Sequence, residues 1–325
     1  MSLKSKFGII VVVLMFFSLL VPGQNEQAVI SSFENMKVNP AIITVTNNLE
    51  VNNNGGHIQG IQLLDFKNEK YAVLTGSSDS YSYYSVIKLN QQNEVVSVNR
   101  LMDKPFKHAG GCQIFQNYLA VGIEDNDAKD KSKVCIFDIS NPENPPLKPV
   151  AVIERKGVPY RSTAGCIGIT KYKDNLLLAV GDWDTKHIDF YSCKFNRVKS
   201  DAVKLISSID LATISRKDWI DNLWSAYQNI NLFTLNKNEL YLVGLGQNSK
   251  NEDVADLFRL SEDKSGKFKI KKIATKAFHC EKEASFKAAA GVSLTNNNEF
   301  NVVSVGYHIE NKTYINYYGT QNKVR

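Results

Sequence analysis

The feature that most constrains this chain is a unit that returns five times. The segments GIQLLDFKNEKYAVLTG (60–76), GCQIFQNYLAVG (111–122), GCIGITKYKDNLLLAVG (165–181), QNINLFTLNKNELYLVG (228–244) and AGVSLTNNNEFNVVSVG (290–306) share one pattern. Each opens on small or polar residues, alternates, turns through polar residues and ends in an apolar run closed by Gly. Four keep the same length, and the second is shorter only at its turn, Gln116 and Asn117. A unit of this kind cannot bury its apolar face alone and must pack against its copies. Most units continue with a third apolar stretch, such as SYYSVIKL (82–89) or SKVCIFDIS (132–140). A fourth usually follows, such as EVVSVNRL (94–101) or PVAVIERK (149–156). The runs are short, rich in Val, Ile, Tyr and Phe, and bounded by Asn, Asp, Gly and Pro, which marks strands. Each unit is therefore a four-stranded antiparallel meander.

The last unit runs out of chain. It has three strands and then ends at Arg325 with no fourth, while AIITVTNN (41–48) precedes the first unit and has no other partner. Seating that segment as the outer strand of the last unit removes two open edges. On these residues the chain resembles a five-bladed β-propeller, an all-β fold at about 60 residues per blade, with its last blade closed by an N-terminal strand. A β-sandwich would not repeat one four-strand unit in this way. Propellers of this size include sugar-binding lectins, glycoside hydrolases and nucleotide hydrolases, so the resemblance implies no single activity. Between the third and fourth units, LATISRKDWIDNLW (211–224) spaces Ile214, Trp219 and Leu223 in a roughly helical way behind Ser215. That spacing predicts a short helical insertion near 211–224.

The N-terminus carries Lys4 and Lys6, an apolar run over 7–21, then Pro22 and Gly23 before a polar stretch. This pattern predicts a signal peptide over 1–23, a single propeller domain over 24–325, and a secreted or periplasmic protein with no membrane span after cleavage. An apolar core of about 15 residues is short of the roughly 20 that span hydrocarbon. Net charge is +6, from 39 Lys and Arg against 33 Asp and Glu, without a basic block, so no nucleic-acid partner is expected. The chain is expected to be a monomer. Its five cysteines lack CxxC spacing and read as small core residues rather than as a zinc site.

In a propeller the loops entering the inner strands share a face with those joining second and third strands. The entries are His57, His108, Ser162, Ser225 and Lys287, preceded by Gly56, Lys107, Arg161, Trp224 and Phe286. The other loops bring Asp79, then Glu124, Asp125 and Asp127, then Asp182, Trp183 and Asp184. The expected ligand site for a small polar or carbohydrate molecule is His57, His108, Gln113, Arg161, Asp182, Trp183, Asp184, Trp224, Tyr227 and Lys287. Indole and phenol rings would stack on a sugar while Asp182, Asp184 and Gln113 bond its hydroxyls. His187, His279 and His308 fall outside this ring.

Asp79, Glu124, Asp125 and Asp127 offer oxygens of the kind calcium takes, but without EF-hand spacing, and acidic turns commonly cap their own backbone. No cofactor is required. A glycosidase needs two carboxyl groups beside the scissile bond, yet HIQGIQL, HAGGCQI, STAGCIG, SAYQNIN and KAAAGVS, the inner-strand stretches, contain no Asp or Glu. Neither GxSxG nor HExxH occurs. The expectation is a noncatalytic binding module, with a metal-assisted hydrolase using His57, His108 and loop acids as the alternative.

Overall fold

A computed structural model describes residues 22–236 and 238–319 of the chain. The alternating runs pair as antiparallel meanders. In the first, β2 (Ile58–Phe66), β3 (Glu69–Ser77), β4 (Tyr81–Leu89) and β5 (Glu94–Asp103) pair in order. The β2–β3 turn has two residues, Lys67 and Asn68, both at positive φ (49° and 66°), the twist a tight hairpin demands. The second contains β6 (His108–Phe115), β7 (Tyr118–Glu124), β8 (Lys131–Asp138) and β9 (Ala151–Lys156). The third contains β10 (Cys166–Tyr172), β11 (Asn175–Gly181), β12 (His187–Lys194) and β13 (Lys204–Asp210). The fourth contains β14 (Asn229–Leu235), β15 (Glu239–Gln247), β16 (Asp253–Glu262) and β17 (Phe268–Phe278).

The remaining strands are β18 (Ala289–Leu294), β19 (Phe300–Val305) and β20 (Lys312–Tyr318). Their outer partner is β1 (Ala41–Thr46), in antiparallel register from Ala41 opposite Tyr317 to Thr46 opposite Lys312. The N-terminal segment thus fills the outer position that the strand count left open. The fold is all-β, and among the described residues its hydrogen-bonded ladders form no closed sheet.

Second strands are apolar almost throughout because both of their faces are covered; all six residues of β19 are buried. The core divides into five clusters, each shared by two consecutive meanders. Leu64 and Tyr84 meet Cys112 and Phe137, Ala120 and Ile136 meet Ile167 and Leu178, and Ile188 and Phe190 meet Leu232 and Phe258. Tyr241 and Leu257 meet Val292 and Phe300, and Ile58 and Ile61 meet Val303 and Ile315. Free cysteines fit this plan: Cys112, Cys135, Cys166 and Cys193 are buried. Burial pushes the Cys112 thiol up to about 12.

The first strands approach too closely for side chains at some positions. A Cβ on Gly291 would lie 1.8 Å from the Ile61 carbonyl oxygen, and one on Gly111 would lie 2.4 Å from Asn229 Oδ1. Side-chain amides tie these strands where ladders do not. Gln113 Oε1 accepts from the amides of Ile169 and Leu232, both at 2.7 Å. Asn231 Oδ1 accepts from Val292 N at 2.8 Å.

The helix expected near 211–224 does not form; the segment is a run of turns and irregular backbone. Leu211 and Trp219 are buried in the core, with Ile214 and Trp224 packed against it, and Trp219 packs on Phe258 and donates Nε1–H to the Ile270 carbonyl at 3.2 Å. Ile220 and Leu223 are 54% and 64% exposed, so no apolar stripe exists to bury. Arg216 donates to the Asn222 and Leu211 carbonyls, satisfying backbone groups a helical ladder would otherwise serve. A helix does occur at α1 (Pro22–Glu34), where the sequence reading placed no element. Pro22 opens it, where a missing N–H costs nothing, and Val29 and Phe33, one turn apart, enter the core. The leader expected over 1–23 lies outside the described residues except for its last two, which begin α1. No helix among the described residues is long and apolar enough to cross a membrane.

Val45 is fully buried where β1 meets the core shared by the first and last meanders. Val45→Ala is expected to lower unfolding stability by about 2 kcal/mol, read as a shifted denaturant midpoint. An unchanged midpoint would mean that β1 is not part of the cooperative fold.

Candidate functional site

Glu124 ends β7 and Asp182 immediately follows β11, so neighbouring meanders each bring a carboxyl group to the same end of the first strands. Both line a cavity of about 250 Å³, with His57, Gln59, His108 and Trp183. Burial pushes the Cys166 thiol up, and the charges of Asp182 and Glu124 push it up further.

Glu124 is 1% exposed. Its Oε2 accepts from the Ala164 amide at 2.9 Å, and Oε1 lies 3.3 Å from His108 Nδ1. Gln59 organises the opposite wall. Its Nε2 stands 3.0 Å from His57 Nε2 and 2.9 Å from His108 Nε2, and its Oε1 accepts from Gln228 Nε2 at 2.5 Å. An amide nitrogen has two hydrogens to give, which assigns both imidazole Nε2 atoms as acceptors and both Nδ1 atoms as protonated. His57 Nδ1–H then donates to its neighbour's carbonyl, Ile58 O, at 2.7 Å, and His108 Nδ1–H faces Glu124. Burial lowers the His57 pKa, so the ring stays neutral at pH 7. A hydrogen-bonded chain therefore crosses the mouth from Gln228 through Gln59 to His108, whose Nδ1 stands 3.3 Å from Glu124 Oε1, and it draws on three meanders. Asn126 Oδ1, on the wall, is buried and has no hydrogen-bond partner.

Asp182 is 4% exposed, and burial raises its pKa. It accepts from the His187 amide at 2.8 Å and pairs with His187 Nδ1 at 2.6 Å. His187 Nε2 in turn lies 3.8 Å from Asp210 Oδ1. His187, expected outside the ring, is thus a direct partner of a cavity carboxyl. It was missed because it sits at the start of a third strand rather than at the entry to a first one.

Tyr227 forms another part of the wall. Its hydroxyl donates to Asp256 Oδ2 at 2.5 Å, and Asp256 also receives the Thr275 hydroxyl and Lys272 Nζ, the latter at 3.0 Å. Lys272, 2% exposed at its side chain, reaches Asp221 as well at 3.0 Å. A buried ammonium shared by two carboxylates holds the ring in one position.

Of the expected ligand residues, His57, His108, Asp182, Trp183, Asp184 and Tyr227 line the cavity. The other four do not. Gln113 is spent on the inner-strand amides, and Arg161 forms a two-point pair with Asp189 at 2.6 Å per contact. Trp224 packs among Trp219, Tyr227 and Phe258. Lys287 is exposed, outside the cavity wall. Among the weaker metal candidates, Asp79 bonds Ser80 and Asn52. Asp125 caps its own turn through the Asp127 and Ala128 amides and pairs with Lys131, while Asp127 pairs with Lys107. Among the described residues no group of three His, Cys, Asp or Glu could hold a metal ion, so the metal-assisted reading has no ligand set. Gln59, Gln228 and Asn126 were not anticipated. Gln59 directly precedes an aligned Gly, where the second, third and fifth units carry Gly or Ala, and that departure was its signal.

A larger cavity, about 710 Å³, lies elsewhere, lined by side chains from the far ends of the first strands such as Leu63, Ile114, Thr170, Leu232 and Ser293. Its ionisable lining residues are Asp65, Lys70 and Tyr71 of the first meander and Tyr317 of β20, and it holds one carboxyl group, not a pair.

No family model and no curated protein matches the sequence. Similar solved structures do exist. The catalytic domain of the GH62 alpha-L-arabinofuranosidase of Coprinopsis cinerea is 12% identical at a TM-score of 0.49, over 86% of this chain and 98% of that one. An alpha-L-arabinofuranosidase of Podospora anserina, in complex with cellotriose, is 8% identical at 0.48, over 87% and 98%. A bifunctional GH43-CE protein of Bacteroides eggerthii is 12% identical at 0.48, over 83% of this chain but 33% of its own length. At these values the likeness says nothing of which residues act. The expectation of a noncatalytic module is nonetheless overturned. Its premise of missing acids fails, because Glu124 and Asp182 reach the mouth from second strands.

Proposed function

We propose that the protein is a carbohydrate-active enzyme that cleaves a glycosidic bond at this mouth, on a five-bladed propeller whose first and last meanders meet through β1. The observation that carries the reading is the pair of buried carboxyl groups, Glu124 and Asp182, on one sugar-sized cavity. Glycoside cleavage uses one carboxyl that holds a proton for the leaving oxygen and one that stays ionised to act at the anomeric centre or on water. Burial raises Asp182, which suits the first role. Glu124, held in place by the Ala164 amide on the wall of the same cavity, takes the second. Trp183 offers a face for a sugar ring, and the partnerless Asn126 oxygen an acceptor for a hydroxyl. The alpha-L-arabinofuranosidase activity of the similar structures supplies a first substrate to try rather than a reason for the reading. The leader-like N-terminus suits work outside the cytoplasm on a glycan.

The test is a panel of nitrophenyl pentosides and hexosides, beginning with the alpha-L-arabinofuranoside. Hydrolysis of at least one is expected, with a rate that falls on the alkaline side as Asp182 loses its proton. A protein that turns over none of the panel overturns the reading.

A further inference from the structure

Beside the cavity, three loops are bound into one ledge. The Lys129 amide donates to Asp125 O at 2.8 Å, the Tyr160 amide to Lys129 O at 2.8 Å, and the Gly157 amide to Asp130 O at 2.9 Å. The Trp183 amide reaches Tyr160 O at 3.4 Å. Four non-glycine residues of this ledge hold left-handed backbone: Lys129 (φ 57°), Tyr160 (66°), Asp184 (58°) and Thr185 (54°). Such conformations persist only where their surroundings impose them, and they concentrate at ligand sites. Their common result is to bring three side chains together. Lys129 Nζ lies 4.3 Å from the Trp183 ring centre and 5.3 Å from that of Tyr160, and the two rings meet edge to face at 6.0 Å.

The lysine is placed without a counterion. Nearby Lys107, Lys131 and Lys186 pair with Asp127, Asp125 and Asp184. Lys129 forms no ion pair among the described residues; its only contacts of this kind are the two rings. Tyr160 is 53% exposed, so its ring is open to a ligand, and Trp183 belongs to the ledge and the cavity wall alike. An aromatic surface stacks on a sugar ring, and an unpaired ammonium beside it attracts an anion.

We propose that the ledge of Lys129, Tyr160 and Trp183 is a second sugar position, next to the cavity, for a residue that carries a carboxylate. The substrate class is then a uronate-containing glycan, with the acidic sugar on the ledge and the neighbouring bond in the cavity. This rests on the reading of the mouth as a glycosidase site.

The experiment measures binding, by calorimetry at low salt, of short oligogalacturonides and oligoglucuronides, each against the same oligomer with its carboxyl groups reduced to hydroxymethyl. At least one acidic oligomer is expected to bind roughly five- to tenfold more tightly than its reduced form, a preference that shrinks at raised salt. Lys129→Met keeps the stem over the rings and should abolish the preference, whereas Lys129→Arg should retain it; equal melting temperatures exclude misfolding. Equal affinities, no binding of either acidic oligomer, or a preference that survives Lys129→Met overturns the proposal and leaves only surface packing of a lysine on two rings. Hydrolysis of small nitrophenyl glycosides, too short to reach the ledge, is read separately. Hydrolysis without acid preference sinks this inference alone, and acid preference without hydrolysis sinks the glycosidase reading alone.

Discussion

Replacing Glu124 by Gln and Asp182 by Asn, singly, is expected to lower kcat/KM on a hydrolysed nitrophenyl glycoside by about 10³ each. That factor corresponds to about 4 kcal/mol of transition-state stabilisation. The substitutions keep side-chain volume, and each leaves an oxygen able to accept the bond its carboxylate now accepts, from the Ala164 amide or the His187 amide. What they remove is the charge of one group and the transferable proton of the other. Because the two would act in one step, the double variant should lose little more than either single one. The pH profile separates their roles: Asp182→Asn should lose the alkaline limb, while Glu124→Gln should keep it at lower amplitude. Unchanged melting temperatures would tie the losses to chemistry. If either variant keeps more than about a tenth of wild-type kcat/KM, that carboxyl is not a catalytic residue.

The parts of this site that the sequence revealed and concealed differ for a physical reason. Period-two alternation bounded by turn residues is a local signal, so the strands were legible. The count of strands per unit made β1 legible as the outer strand of the last meander, because an unfilled edge is costly. Glu124 and Asp182 were visible as loop acids, but the search for a catalytic pair was confined to first strands, and second strands deliver them. Gln59 was concealed because its role depends on two imidazoles that only the arrangement of meanders brings within 3.0 Å. The two errors in helices share a cause. In 211–224 apolar spacing looked helical, yet Leu211, Ile214, Trp219 and Trp224 reach the core from irregular backbone. In α1 the few apolar residues gave no strong stripe, yet Val29 and Phe33 are enough once the fourth and last meanders offer a surface. Helix formation was settled by packing in both cases, which a local pattern does not contain.

Asp189→Asn is expected to destabilise the fold by about 3–5 kcal/mol, although Asp189 takes no part in the proposed chemistry. Its carboxylate accepts from Arg155 Nη1 at 2.7 Å, from both Arg161 Nη atoms at 2.6 Å, and from the Ser208 hydroxyl at 2.5 Å. Arg155 has 6% side-chain exposure and otherwise meets neutral oxygens of Tyr191, Thr163 and Arg161. Among the described residues Asp189 is the one carboxylate paired with Arg155, so removing it leaves that guanidinium buried without a counterion. The hydrogen bonds and arginine charges outweigh desolvation and hold the Asp189 carboxyl down at about 2, below the ordinary value near 4. A depressed carboxyl contributes stability that is present above its unfolded pKa and lost as pH falls through its folded one. The loss should therefore fall between pH about 4 and about 2, and on the order of 2 kcal/mol of it should be linked to this one proton. Denaturant melts across that range, taken as wild type minus variant, isolate the group from every other carboxyl. The difference should be greatest at neutral pH and shrink towards pH 2. A difference that stays constant with pH would show that packing of the Asp189 side chain, and not its charge, holds Arg155 and Arg161 in place.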